Sequence, residues 1–179
     1  MSEKINVHSL FSIPFWKLAV QDFATKKETL IKLLAPFDEK KNEEDLADFT
    51  TNRYDAEEII KDFSKILYEE LKLVADSVQN DLKVTDVWSV TYSKNGYHPV
   101  HNHGSIGLSG ILYLTLPEDA PKTSFLQPWN NFMTDKSTYG VPDVKEGDII
   151  VVPSFIHHFT QPNKSKQQKR IISWDMKSG

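Results

Sequence analysis

From Val84 to Met176 the chain is a succession of short β-branched and aromatic segments, each closed by turn-forming residues. Val84–Ser93 runs into Lys94-Asn95-Gly96, and Ile106–Leu116 stops at Pro117. Asp148–Pro153 follows the turn Glu146-Gly147-Asp148, and Phe155–Thr160 gives way to Pro162-Asn163-Lys164-Ser165. Lys169–Met176 is the last of the series. Strands this short and closely spaced bury their apolar faces by packing as a sandwich or closing as a barrel. Residues 117–147 are rich in Pro, Gly, Asn, Asp and Trp. They are expected to form a long loop region with at most one short strand near Thr123–Leu126. Loops on a rigid sheet are common sites of ligand contact, and Trp129 and Phe132 lie in this one.

The helical signals all come earlier, which predicts an α+β segregation. Asn6–Val20 is β-branched and aromatic but interrupted by Pro14, as in an edge strand or a break. Thr25-Lys-Lys-Glu28 fits a capping box, with Leu30, Leu33, Leu34 and Phe37 at helical spacing behind it and Pro36 as its stop. Residues 38–52 read as a charged, solvated loop. Asp55-Ala-Glu-Glu58 is a second capping box. Beyond it Ile59, Ile60, Phe63, Ile66, Leu67, Leu71, Val74 and Val78 recur at three- and four-residue intervals. That spacing predicts one long amphipathic helix over about 55–80, its apolar stripe laid against the sheet. A single domain over 1–179 is expected, with 1–83 as strand and supporting helices and 84–176 as the core.

Five of the six histidines fall in two places: His98, His101 and His103, then His157 and His158. Residues two apart on a strand share a face, so His101 and His103 can point at one centre. A third imidazole from a distant strand would complete a site for a first-row transition metal. His98 is out of phase with that pair and is expected to be structural or to sit behind the ligands. His157 and His158 alternate, so one of them faces the pocket. The chain has no cysteine, which excludes disulfides and thiolate-bound zinc or iron–sulfur centres. Zinc, iron, manganese, nickel or copper on histidine and carboxylate stay open. The net charge of −4 offers no general attraction to nucleic acid or anionic membrane. The first residues, Met-Ser-Glu-Lys-Ile-Asn, carry no apolar leader, and no apolar run spans a bilayer, so a cytoplasmic protein is expected. A homodimer is compatible with these features.

Four separated motifs stand in a familiar order. They are Tyr92-Ser-Lys-Asn-Gly-Tyr-His-Pro-Val-His-Asn-His103, Ser109-Gly-Ile-Leu-Tyr113-Leu, Gly147 through His158 to Pro162, and Lys169-Arg170-Ile-Ile-Ser173-Trp. Together they closely resemble the iron(II)/2-oxoglutarate-dependent oxygenases, in particular a small bacterial and phage branch related to the prolyl hydroxylases. The resemblance covers about Leu10 to Met176. It implies a double-stranded β-helix, a cupin-like jelly-roll barrel, with the N-terminal helices packed against it. It implies a dioxygenase that uses Fe(II), O2 and 2-oxoglutarate to hydroxylate a second substrate, a prolyl residue or a small molecule. On this resemblance His101 and His158 match metal ligands, and His103 stands where the family usually has a carboxylate. Glu118 or Asp119 could complete the site instead. Arg170 matches the basic residue that pairs with the distal carboxylate of 2-oxoglutarate, and Tyr92 and Tyr113 match positions that hydrogen-bond the cosubstrate.

Two alternatives use the same barrel. A three-histidine cupin, either a thiol dioxygenase or a sugar isomerase, would share the spacing of Gly147, Pro153 and His158. It would lack the cupin glutamate, since Gly107 and Leu108 stand there, and would leave Arg170 without a role. A binding domain with a degenerate metal site is the other.

Overall fold

The computed structural model describes residues 12–38, 49–53 and 57–179. Two antiparallel sheets face each other. The larger carries β1 (Trp16–Ala19), β2 (Phe49–Arg53), β3 (Leu82–Tyr92), β5 (Leu108–Thr115), β8 (Asp148–Pro153) and β10 (Lys169–Ser178), in the order β1-β8-β5-β10-β3-β2. The smaller has β4 (His98–His101), β6 (Thr123–Leu126), β7 (Tyr139–Gly140) and β9 (His158–Thr160), in the order β4-β9-β6-β7. From β3 onward the chain passes back and forth between the sheets. This is the double-stranded β-helix expected from the motifs.

Strand alternation builds two cores. From β5, β8 and β10, Leu112, Leu114, Ile149, Val151, Ile172, Trp174 and Met176 point outward to the helices. Ile111, Tyr113, Ile150, Val152 and Ile171 point inward, between the sheets. Ile149–Val152 of β8 is apolar on both faces and reads as a continuous run, whereas the inward face of β10 also carries Lys169, Ser173 and Asp175. The helices α1 (Phe23–Asp38), α2 (Glu57–Ile66) and α3 (Tyr68–Val78) supply Leu30, Leu34, Ile59, Phe63 and Val74 to the outer core, joined by Leu67 between α2 and α3. Glu70, almost fully buried on α3, is paired with Lys26 of α1 at 2.8 Å and ties the two helices together.

Gly110 of β5 lies opposite Trp174 of β10, and a Cβ there would meet the indole at 2.1 Å. The glycine is therefore the space the ring occupies. Gly110→Ala is expected to overpack this contact by about 2–3 kcal/mol, lowering the melting temperature by about 5–10 °C. A calorimetric scan within 2 °C of the parent would show that the indole moves aside freely.

Several local expectations are corrected. The helix over 55–80 is two helices, broken at Leu67, whose φ of −103° and ψ of 21° leave the helical region. No glycine or proline marks that break in the sequence. Pro36 lies inside the last turn of α1 instead of ending it, and α1 starts at Phe23, two residues before Thr25. Residues 49–52, expected at the end of a loop, form β2 together with Arg53 and pair with β3. A second short strand, β7, pairs with β6 within the 117–147 region. The capping residue Asp55 and the charged stretch 39–48 lie outside the described residues. Among the described residues no helix is long and apolar enough to cross a membrane.

Candidate metal and cosubstrate site

The register of β4 on β9 decides the site. His101 pairs with His158 and His98 pairs with Thr160. Between these pairs two residues of β4 stand against one of β9, the signature of a bulge. The extra residue turns His98 back to the face of His101, and their rings stack at 4.0 Å. His103 follows the end of β4, and its backbone N–H donates to the Ser154 carbonyl at 3.0 Å. One ligand atom each from His101, His103 and His158 lies within 4.8 Å of the others, and no carboxylate joins this group among the described residues.

Each of the three rings is oriented by an acceptor at Nδ1. His101 Nδ1 is 2.9 Å from the Pro99 carbonyl, His158 Nδ1 is 3.1 Å from the Ile156 carbonyl, and His103 Nδ1 is 2.8 Å from Asp175 Oδ1. Carbonyls and carboxylates only accept. Nδ1 therefore carries the proton in all three rings, and Nε2 is left with a lone pair for a metal. Burial, reinforced by the His101 ring, lowers the pKa of His158 to about 3. Burial is also the main cause that lowers His101. Neutral imidazoles are what a transition metal needs, so the donor set fits a divalent first-row ion. Trp88 and Phe125 wall the site, with ring centroids 5.0 Å from His103 and 5.7 Å from His158.

The other histidines separate cleanly. His98 lines the same cavity but is outside the three-ring group; its Nδ1 is 3.3 Å from the Tyr92 hydroxyl. Burial lowers its pKa to about 3, with the three other imidazoles and Lys169 all disfavouring its charge. His157 is exposed and touches Asn102 instead. Trp129 and Phe132 sit at exposed positions between β6 and β7.

Arg170 is not brought to this cavity. It pairs with Thr91 on the face opposite Tyr92 and Val90, and its guanidinium donates to Ser89 Oγ at 3.4 Å. Its neighbour Lys169 pairs with Tyr92 and points inward. Lys169 is fully buried, and its ammonium has no hydrogen-bond acceptor among the described residues. It lies 4.7 Å from the centre of the Tyr92 ring and 5.7 Å from that of Tyr113. Burial lowers its pKa to about 7. A buried ammonium held only by two aromatic faces is costly without an anion. The orphaned donor fits the distal carboxylate of a 2-oxo diacid. The Tyr113 hydroxyl accepts the Thr123 N–H at 3.3 Å, and Thr123 lines the histidine cavity.

Asp175 went unnoticed in the sequence. It shares the inward face of β10 with Lys169, Ile171 and Ser173, and reaches His103 from the opposite sheet. The available signal was alternation: once Ile172, Trp174 and Met176 are assigned to the helical core, the odd-numbered residues face in.

A family model described as 2OG-Fe(II) oxygenase matches residues 86–175. Solved structures with the same fold include a Pseudomonas putida prolyl-4-hydroxylase, at 11% identity and TM-score 0.62, covering 93% of this chain and 94% of that one. HygX from Streptomyces hygroscopicus, with nickel, 2-oxoglutarate and hygromycin B bound, aligns at 12% identity and TM-score 0.69, over 93% and 83%. The viral collagen prolyl hydroxylase of Paramecium Bursaria Chlorella virus-1, as its 2-oxoglutarate complex, aligns at 16% identity and TM-score 0.60, over 92% and 96%. No curated protein matches the chain by sequence.

Proposed function

The chain belongs to the 2OG-Fe(II) oxygenases, whose model matches just over half of it, and on that premise we propose that His101, His103 and His158 hold the iron and that Lys169 anchors 2-oxoglutarate. The observation that carries this reading is the pairing of two features that face the interior from the two sheets. Three imidazoles are each fixed to present Nε2, and beside them lies a buried ammonium with no acceptor among the described residues. Family membership also sets the cupin alternative aside.

When bound, iron(II) with 2-oxoglutarate supplies the activation of dioxygen and the oxidative decarboxylation that drives hydroxylation of a second substrate. The chain's own part is placement. Lys169 receives the distal carboxylate, which replaces the missing acceptor. The faces of Tyr92 and Tyr113 keep the ammonium tolerable in a dry interior. Tyr92 carries the lysine on its ring face and meets His98 with its hydroxyl, and it orients the cosubstrate. Trp88, Ile111 and Ile171 exclude water from the same cavity.

The second substrate is best accommodated by a cavity of about 530 Å³ lined by Ile13, Phe15, Phe125, Tyr139, Val152 and Ile156 among others. Phe125 both lines it and packs on His158, with ring centroids 5.7 Å apart, and none of its lining side chains is charged. That size suits a small ligand, and that lining suits a neutral, largely apolar one. A prolyl residue meets this description, in keeping with the two prolyl hydroxylases among the structural relatives. The reading places the enzyme in the cytoplasm, where 2-oxoglutarate is supplied by metabolism.

The test is direct. With iron(II), ascorbate and 2-oxoglutarate under air, the protein is expected to release succinate, slowly alone and faster with a neutral acceptor. Metal-loaded protein that forms none would remove the oxygenase reading.

A further inference from the structure

His103 is held at both ends by one closed polar circuit. Its backbone N–H donates to the Ser154 carbonyl at 3.0 Å. Ser154 Oγ shares a hydrogen bond of 2.9 Å with Ser109 Oγ, and Ser109 donates to Asp175 Oδ1 at 2.6 Å. The same Asp175 oxygen accepts from His103 Nδ1 at 2.8 Å. The circuit joins β5, β10 and the turn after β8, and both serines are almost fully buried. A ligand that only needed pointing could be fixed by one carbonyl, as His101 and His158 are. Among the three rings, His103 alone is tied to a carboxylate, and it stands where the usual facial triad has its anionic ligand.

We infer that Asp175 is a positioning residue that supplies, through His103, the negative charge the three neutral imidazoles lack. The hydrogen bond to an anion raises the donor strength of Nε2, so His103 binds the metal as a partly anionic ligand. The anionic character of the triad is retained but moved one residue back. A consequence is reciprocity: a carboxylate at position 103 makes the one at position 175 redundant, and the two would repel across the circuit. This inference rests on the three histidines being the metal ligands, and its test separates the two.

Co(II) affinity can be read from quenching of tryptophan fluorescence, since the Trp88 ring is 5.0 Å from that of His103, and from the Co(II) absorption bands. Asp175→Asn keeps an acceptor oxygen and removes only the charge. It is expected to weaken Co(II) binding by about 10–100-fold and shift the absorption bands. His103→Asp is expected to bind poorly, and His103→Asp/Asp175→Asn to bind at least about tenfold more tightly than His103→Asp alone. His158→Ala should abolish binding. If His158→Ala abolishes binding while Asp175→Asn stays within twofold of the parent with unchanged bands, the charge role fails and the metal site stands. A double variant no tighter than His103→Asp fails it equally. If His158→Ala still binds Co(II) like the parent, both readings fall. Should Asp175→Asn not fold, nitrogen-15 spectra of the Zn(II)-loaded parent decide. The inference requires the proton of His103 on Nδ1, and a metal on Nδ1 overturns it.

Discussion

Lys169→Met yields a protein that melts at a higher temperature than its parent yet forms no succinate. Both halves of this expectation come from one fact: the ammonium is fully buried and has no hydrogen-bond acceptor among the described residues. In the unliganded fold it is an uncompensated charge, held only by the faces of two tyrosines. Burial lowers its pKa to about 7 from the ordinary 10.5. Between those two values the unfolded chain binds the proton and the folded one does not, so stability rises with pH across that window. The penalty is complete below about pH 7 and gone near 10.5. Methionine fills much of the same volume without the charge, so its stabilising effect is largest at neutral pH and disappears in alkali.

With the dianion bound the sign reverses, because the ammonium then has its partner. Removing one member of a buried charge pair costs about 2–5 kcal/mol, or roughly 30-fold to several thousandfold in 2-oxoglutarate affinity. Metal binding should be unchanged. In the parent, cosubstrate affinity is level below about pH 7 and weakens by up to about tenfold per unit above it, since binding then takes up a proton. Arg170→Ala, on the opposite face of β10, is expected to keep the KM for 2-oxoglutarate. Titrations of both variants check this; if Arg170→Ala loses the cosubstrate and Lys169→Met keeps it, the assignment of the anchor is reversed.

The proposed exchange of Lys169 for Arg170 turns on what a sequence conveys and what it leaves open. The motif order pointed to a basic residue at the start of the last strand, and the structure has two there in succession. Which one faces inward is set by the register of β10 on β3, where Lys169 meets Tyr92 and Arg170 meets Thr91. A period of two fixes the relation of neighbours but not the absolute face. The strands themselves were legible because β5, β8 and β10 are rich in β-branched and large apolar residues, and β5 and β8 run into Pro117 and Pro153. The spacing of His101 and His103 was legible for a similar local reason. The break at Leu67 was not, because Ile66, Leu67 and Tyr68 are ordinary helix residues and the packing of two helices on one sheet decides it. Asp175 was hidden because its partner lies 72 residues away, and only the fold brings them together.

The bulge in β4 was equally invisible, and it sets a sharp test on two stacked rings. His98 and His101 lie 4.0 Å apart, share a strand and are both half-buried, yet they should behave oppositely when removed. His101 gives its Nδ1 proton to the Pro99 carbonyl and its other nitrogen to the group of three. His101→Ala therefore takes one of the three proposed ligands, and its loss of metal affinity should exceed the roughly 100-fold associated with residues behind the ligands. No succinate should form. His98 has Nδ1 beside the Tyr92 hydroxyl and Lys169 close enough to oppose its protonation. It belongs to the cosubstrate end of the cavity. His98→Ala is expected to hold Co(II) within about threefold of the parent while the KM for 2-oxoglutarate rises by about tenfold, as for one lost hydrogen-bonded neighbour. Equal loss of metal in the two variants would make His98 a fourth ligand. The bulge would then serve to bring two ligands, not one, from β4 to the same ion.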